Sequence, residues 1–367
     1  MEILVKRKAF SEALDRISGA ISAKPSLSIL SGILFDAKDE EIVITATDLD
    51  NTIRTTVAGK VASKGITLLP GKKVISLIKQ LSGEEVKITA KDSQVLFQSE
   101  DSNYSFLTMN QDEFPKLPKF TSEINMKLPG AFMKKAVQNI VFCIYPEEPR
   151  PHFRGGLLDI TDTSVNFIAT DTKRLAQMKK NIEGLSGKLK ALLSYKLLSL
   201  LPTILPDEGD VEIGIGKNQI LIKIQDTVLT SQLLDGSNEF PDYTKVIPDE
   251  KKLKVVKLPT EAFQATLKRI ALFTSDRYNK VKFSITKQRL IISVNSPDVG
   301  EAQEKLAIDY DGEEQNIAFN PEYILDFLHR VPEKNILLGF TNETKPVLLH
   351  PEENTEYLYV AMPLKLD

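Results

Sequence analysis

Apolar residues recur along this chain with two periods, one helical and one alternating. In KRKAFSEALDRISGAIS, residues 6–22, Phe10, Leu14, Ile17 and Ile21 share one stripe, the pattern of a helix that buries a single face. The pattern returns as LPGAFMKKAVQNIVFCI at 128–144 and LPTEAFQATLKRIALFT at 258–274, so that Phe10, Phe132 and Phe263 stand 122 and 131 residues apart. A second helical pattern, LPGKKVISLIKQL at 69–81, is answered by LLSYKLLSLLPTI at 192–204 and FNPEYILDFLHRV at 319–331. Between the helices apolar and polar residues alternate with β-branched enrichment, as in EIVITATDL, VNFIATD, RLIISVN, EVKITAKDSQVLFQS, DVEIGIGKNQILIKI and NILLGFTNETKPVLL. That alternation predicts half-buried strands.

Two shorter phrases repeat with similar offsets. EFPKL at 113–117 returns as EFPDY at 239–243, and Ala-Thr-Asp occurs at 46–48 in ITATDLDNTI and again at 169–171 in IATDTKRLA. Self-similarity at a fixed period signals a repeat architecture, here three units of about 120 residues. Each unit reads as strand, helix and three strands, then the same again, so the chain holds six half-units. Strands joined by short Asp, Asn and Gly turns are antiparallel hairpins, which predicts an α+β fold rather than a doubly wound parallel sheet. The expected domains are 1–120, 121–248 and 249–367, separated by the polar stretches PKFTSEIN at 118–125 and IPDEKKLK at 247–254.

Charge changes the picture more than composition does. The net charge is −3, which argues against a general nucleic-acid binder, since such proteins carry a basic excess. The distribution says otherwise. The helical windows 6–18, 71–81, 131–144, 188–201, 260–274 and 320–330 hold 15 basic against 5 acidic residues, leaving 32 basic against 45 acidic elsewhere. Amphipathic helices favour lysine on their solvent face, but they favour glutamate equally, and glutamate is scarce in these windows. An acidic exterior with a basic helical side suits a surface that meets phosphate backbone in one direction. No helix carries the Arg, Asn and Gln cluster of a base-reading helix, and with no Trp there is no stacking platform for single strands. The contact implied is loose, sequence-blind and salt-sensitive.

Catalytic chemistry finds no support. His152, His329 and His350 are scattered without a second ligand at metal spacing, and phosphate-loop, dinucleotide and nucleophile-elbow motifs are absent. Asp48 and Asp50 in TDLD invite an acid/base or metal reading, but Asx-type turn capping accounts for them better. The one cysteine, Cys143, excludes an internal disulfide and sits in an apolar run, the setting of a buried inert thiol. The N-terminus MEILVKRKAF does not read as a secretory signal. The longest apolar segment is broken by Lys196, Pro202 and Pro206 and does not read as a membrane span. A cytoplasmic protein without metal, cofactor or membrane association is expected.

These repeats, with KPSLSILSGILF at 24–35, RPHFRGGLLDI at 150–160, ATDTKRLA at 169–176, EFPDYTKVIP at 239–248 and the terminal YVAMPLKL at 359–366, resemble the bacterial DNA sliding clamps, the beta subunits of DNA polymerase III. The resemblance runs the length of the chain and in order. It implies three clamp domains in a head-to-tail homodimeric ring, with antiparallel sheets outside and twelve helices lining the centre. Such a ring encircles double-stranded DNA and tethers the replicative polymerase by topology, without cofactor or catalysis. Lys24 and Arg150 would approach the DNA, with Lys72, Lys73 and Lys196 as further candidates. The competing class is a repeat-built peptide-binding hub that never encircles DNA, which predicts partner binding indifferent to reversal of the helical lysines.

The resemblance also implies a pocket between the second and third domains. It takes a short peptide bearing Gln and Leu or Phe from the polymerase, the clamp loader and other partners. The matching positions are Phe153, Thr170, Thr172, Arg174, Leu175, Pro241, Val246, Asn320, Tyr323, Pro346, Val360, Met362, Pro363 and Leu364. Most offer apolar lining, with Arg174, Asn320 and Tyr323 as polar groups, a usual pocket composition. Simple core packing is the alternative for Leu175, Val246 and Val360. Lys173 stands where the family commonly has histidine, Phe153 where it has leucine and Lys365 where it has arginine, and Asp367 extends the usual end. For the dimer, family geometry sets Tyr104 and Phe106 on an edge strand against Leu272 and Phe273, with Lys72 and Lys73 opposite Asp298, Glu301 and Glu304. Pairing apolar residues on an edge strand removes an aggregation hazard.

Overall fold

A computed structural model of the chain describes residues 1–22, 27–39, 41–116, 120–182 and 187–366. Among these, six α-helices occur: α1 (Arg7–Ser18), α2 (Gly71–Gln80), α3 (Gly130–Ile140), α4 (Tyr195–Ile204), α5 (Thr260–Ala271) and α6 (Pro321–Leu328). Each follows a strand directly and precedes three more, so the strand, helix, three-strand order runs six times, with one additional strand at Gly59–Ser63. The predicted stripe becomes the core: Phe10, Leu14 and Ile17 on α1 and Phe263, Leu267 and Ile270 on α5 are buried. Corresponding helices also use corresponding contacts. Phe10 meets Phe35 edge-on at 6.0 Å, and Phe263 meets Phe283 edge-on at 5.8 Å.

One helix is out of phase with the sequence reading. The window 188–201 divides into a strand, Leu189–Ser194, and then α4. A short apolar run does not distinguish strand from helix by period alone. The switch comes at Ser194, whose hydroxyl accepts the N–H of Leu197 at 3.1 Å and so serves a free donor of the first helical turn. Lys188 and Lys190 therefore lie outside the helices. With the observed bounds the helices carry 11 basic and 5 acidic residues, a smaller excess of the same sign.

The described residues divide into two compact units, Met1–Lys134 with Leu200–Leu233 and Lys135–Ser199 with Leu234–Asp367. These cut across the sequence repeats because each unit is organised on a sheet that joins two repeats. In the first unit, strand Asn51–Val57 pairs antiparallel with Thr227–Leu234, linking four strands of the first repeat to four of the second. Thr55 and Thr227 meet at this seam through buried hydroxyls 2.8 Å apart. In the second unit, strand Arg174–Asn181 pairs with Tyr357–Ala361, linking second repeat to third.

Each unit also carries a smaller antiparallel sheet. In the first unit it ends on Ser102–Leu107, and in the second on Gly300–Ala307. Among the described residues both strands are paired on one side only, by Gln94–Ser99 and Arg289–Ser296. No described helix is long and apolar enough to cross a membrane.

Candidate functional site

The repeated Ala-Thr-Asp corner forms the same turn twice. In the first copy Asp48 Oδ1 accepts the N–H groups of Asp50 and Asn51 at 3.1 and 2.8 Å, while the Thr47 hydroxyl donates to the Asn51 carbonyl at 3.0 Å. In the second Asp171 Oδ1 accepts from Lys173 and Arg174 at 2.9 and 3.0 Å, and the Thr170 hydroxyl donates to the Arg174 carbonyl at 2.7 Å. Leu49 and Thr172, at the tips, hold φ of 80° and 73°. Both aspartates are turn caps, as Asx chemistry requires.

In the second copy this turn delivers a strand into the seam of the second unit. Leu175 lies opposite Val360, and Arg174 opposite Ala361. Since side chains alternate across a strand, Leu175 and Val360 share one face of the sheet. They join Leu157, Ile168, Leu192, Leu348, Phe240 and Tyr243 in one buried cluster. The neighbouring strand approaches closely where RPHFRGG begins it: a Cβ on Gly155 would sit 2.2 Å from the Leu193 carbonyl.

A cavity of about 240 Å³ opens here, lined by Phe153, Thr170, Thr172, Arg174, Leu175, Pro241, Tyr243, Val246, Val360 and Met362. Its floor is apolar with a few polar groups at the rim, the make-up of a site for an apolar anchor. A larger cleft of about 770 Å³, lined by Lys280, Lys282, Asn295, Glu301 and Gln303 among others, is open and polar and lacks such a floor. Phe153 ends a 3₁₀ turn, with the His152 ring 4.4 Å and the Phe240 ring 6.2 Å from its own.

Nine of the expected pocket residues thus share one cavity, and five do not line it. Asn320 caps α6, accepting the Glu322 N–H at 3.0 Å. Tyr323 lies on α6, its carbonyl bonded by the Tyr359 hydroxyl at 2.8 Å. Leu364 is held by its N–H to the Ala318 carbonyl at 2.8 Å. Pro346 and Pro363 are half-buried beside the strand Val347–Pro351 and next to Met362.

Tyr243 is the lining residue that sequence reasoning missed. Its hydroxyl donates to Asp159 Oδ2 at 2.8 Å inside the protein, fixing the loop that carries Pro241 and Val246. Burial, and then that bond, push the hydroxyl above the usual tyrosine range. The signal was in the phrase EFPDY, whose first copy ends Lys-Leu instead.

Arg174 is the most heavily bonded group at the site. Its guanidinium donates from Nε to Asp171 Oδ2 at 2.9 Å, from Nη1 to Asp326 Oδ2 at 2.5 Å and from Nη2 to the Phe142 carbonyl at 2.7 Å. It also lies over the rings of Tyr323 and Phe142 at 4.6 and 5.2 Å. The planar fork makes this set possible where lysine would not. Cys143, next to Phe142, is buried, and burial pushes its thiol well above the usual range. It is an inert thiol. No group of His, Cys, Asp and Glu able to hold a metal occurs among the described residues.

The remaining expected residues fall elsewhere. Lys24 lies outside the described residues. Lys72 and Lys73 are exposed in the first turn of α2, and Lys196 is exposed on α4. Arg150 bonds Glu148 at 2.6 Å and stacks over Phe153 at 4.4 Å, so it stands at the cavity rim. Tyr104, 39% exposed, and Phe106 lie on the open edge strand Ser102–Leu107. Leu272 is 75% exposed just beyond α5, with Phe273 half-buried beside it. Glu304 is taken by Arg269 in a two-pronged ion pair at 2.6 and 2.7 Å, and this internal bond lowers its carboxyl pKa.

Comparison with known proteins places this geometry in context. Residues 1–118, 127–242 and 244–365 match the families described as the N-terminal, central and C-terminal domains of DNA polymerase III beta subunit. The whole chain is 29% identical over 370 residues to the beta sliding clamp of Chlamydia pneumoniae, covering 99% of that protein. The crystal structure of the DNA polymerase III subunit beta from Pseudomonas aeruginosa shares the fold with a TM-score of 0.95, at 23% identity and complete coverage of both chains. A sliding clamp from Bartonella birtlesii, bound to griselimycin, superposes with a TM-score of 0.93, at 26% identity and again complete coverage of both chains.

Proposed function

The chain belongs to the DNA polymerase III beta subunit family, the bacterial sliding clamps, and from that premise we propose that it is a polymerase processivity factor. Two copies close head to tail into a ring around duplex DNA, and the cavity of the second unit holds the peptide by which polymerase, clamp loader and other partners attach. The observation that carries the ring is the pair of open strand edges, Ser102–Leu107 and Gly300–Ala307, one in each unit. They belong to different repeats, so pairing them between copies is heterologous, and a heterologous contact closes into a ring or runs on as a filament. Exposed apolar residues near both edges, Tyr104, Leu107 and Leu272, support closure, because such edges left open would aggregate.

Within the ring three domains, 1–120, 121–248 and 249–367, repeat in each copy. The helical excess of basic residues, with Lys24 and Arg150 as the proposed DNA-proximal residues and Lys72, Lys73 and Lys196 as further candidates, holds the DNA by long-range attraction that salt screens. Topology supplies the tether, and no catalytic group or cofactor takes part. Retention on nicked circular DNA after loading, with loss on linearisation, is the expected result. Equal retention on both forms would overturn the ring and leave a peptide-binding hub. Griselimycin, bound by the Bartonella birtlesii relative, serves as the competitor for a fluorescent Gln- and Leu-Phe-bearing peptide.

A further inference from the structure

Arg174 touches the cavity on one side and two helices on the other. Its strand places Leu175 toward the cavity, while the Arg174 guanidinium reaches Asp326 on α6 and the Phe142 carbonyl just past α3. The same Phe142 ring receives a second guanidinium, that of Arg330, at 4.1 Å. Arg330 in turn donates to the Gln138 carbonyl of α3 at 2.9 Å and to the Asp326 carbonyl of α6 at 2.6 Å. Asp326 is thus held at both ends, by its side chain through Arg174 and by its backbone through Arg330.

We propose that Asp326, which does not line the cavity, is a positioning residue for the peptide site: it fixes Arg174 at the cavity wall and couples occupancy to the α3–α6 contact. The inference rests on the peptide-binding reading above. A guanidinium on a side chain that is 12% exposed, anchored at Nε, Nη1 and Nη2, has its orientation set before any ligand arrives, which spares the ordering cost of binding. Removing the Asp326 anchor frees Nη1 and leaves Asp171 as the one carboxylate bonded to Arg174 among the described contacts. The stacking on Tyr323 and the bonds at Nε and Nη2 remain, so the fork is loosened rather than released. Conversely, a peptide that engages Arg174 pulls on a group that also holds α6 to the end of α3. The site and the helices are two ends of one hydrogen-bonded set.

The test is a double-mutant cycle read by fluorescence polarisation with the labelled peptide, on the full chain. Asp326→Ala weakens binding about tenfold, and Asp326→Asn, which keeps volume and one acceptor, weakens it about threefold. Because Asp326 acts through Arg174, the double variant with Arg174→Ala binds as Arg174→Ala alone does, within about twofold. Peptide also slows amide exchange at 138–143 and 323–330 in the wild type and in neither Arg174 variant, effects that a merely structural role would not produce. Losses that add in the cycle, or an Asp326→Asn protein of unchanged affinity, overturn the inference and leave the pocket standing. A wild-type chain that binds no peptide overturns the pocket reading and the inference together.

Discussion

Leu272 offers the sharpest measure of the proposed ring contact. It follows α5 directly and is 75% exposed, so little of its side chain contributes to the core of its own subunit. The edge strand beside it is tied to α5 by Arg269 and Glu304, which holds the apolar residue and the open backbone edge in fixed relation. Fully burying a leucine stabilises by about 1.5–3 kcal/mol. With three-quarters of it left to bury, Leu272 is worth roughly 1–2 kcal/mol per contact, and a two-copy ring has two contacts. Leu272→Ala is therefore expected to raise the dimer dissociation constant by about 30- to 1,000-fold. Its melting temperature as a monomer should barely move, since exposed substitutions usually fall within about 0.5 kcal/mol. Sedimentation equilibrium over a dilution series reads the first quantity and circular dichroism the second. A dissociation constant within about threefold of wild type would refute the assignment of this edge to the ring.

Three further outcomes follow from the second unit. Tyr243→Phe leaves the Asp159 carboxylate without its buried hydroxyl partner and should cost about 1–3 kcal/mol in urea unfolding; a neutral result would show that the bond does not hold the loop. Burial raises the pKa of Cys143, Tyr357 and Tyr359, and of Tyr243, and so holds these groups protonated. The unfolded chain then releases these protons first, so stability is full below about pH 9 and falls above it. Calorimetry from pH 8 to 11 should show that decline, with Cys143→Ala removing its earliest part, and a flat melting temperature would contradict it. Met362→Ala should weaken peptide binding several-fold and Leu364→Ala should not, because Met362 lines the cavity while Leu364 is held by its backbone at Ala318. Equal losses in both would mean that the tail moves as one piece.

Periodicity made the helices and the order of strands legible, because a buried stripe or an alternating face leaves a local trace in the residues. It failed at 188–201, where ALL and LLSLL satisfy either period and a single serine decides the start of α4. Sheet joins left no such trace. That Leu175 faces Val360, and Thr52 faces Thr230, depends on pairing between distant segments, and so do the two compact units that cut across the repeats. At the site, apolar lining was legible from the motifs. The work of Arg174 was only partly so, since a guanidinium's partners on α3 and α6 are set by packing, and Tyr243 required noticing how the second EFP phrase differs from the first.

The two copies of the corner show what separates a seam from a site. Their turns match bond for bond, and Leu49 and Thr172 hold nearly the same left-handed φ, so the corner itself confers nothing. The difference begins three residues after each Thr-Asp. The first copy has Asn51, wholly buried with neither side-chain polar atom bonded, and then Thr52 opposite Thr230. The second has Arg174, long enough to leave the seam for α6, and then Leu175 opposite Val360. One register thus places a pair of hydroxyls where the other places an apolar floor. Elsewhere in the first repeat, Ile29, Leu30, Leu68 and Phe114 close into a packed cluster. Around the second, Phe153, Pro241, Tyr243 and Met362 stand far enough apart to leave the cavity open. A pocket at this seam therefore needs the Arg-Leu pair on one strand and an apolar strand from the following repeat. The chain's last strand supplies Val360 where the second repeat's last strand supplies Thr230.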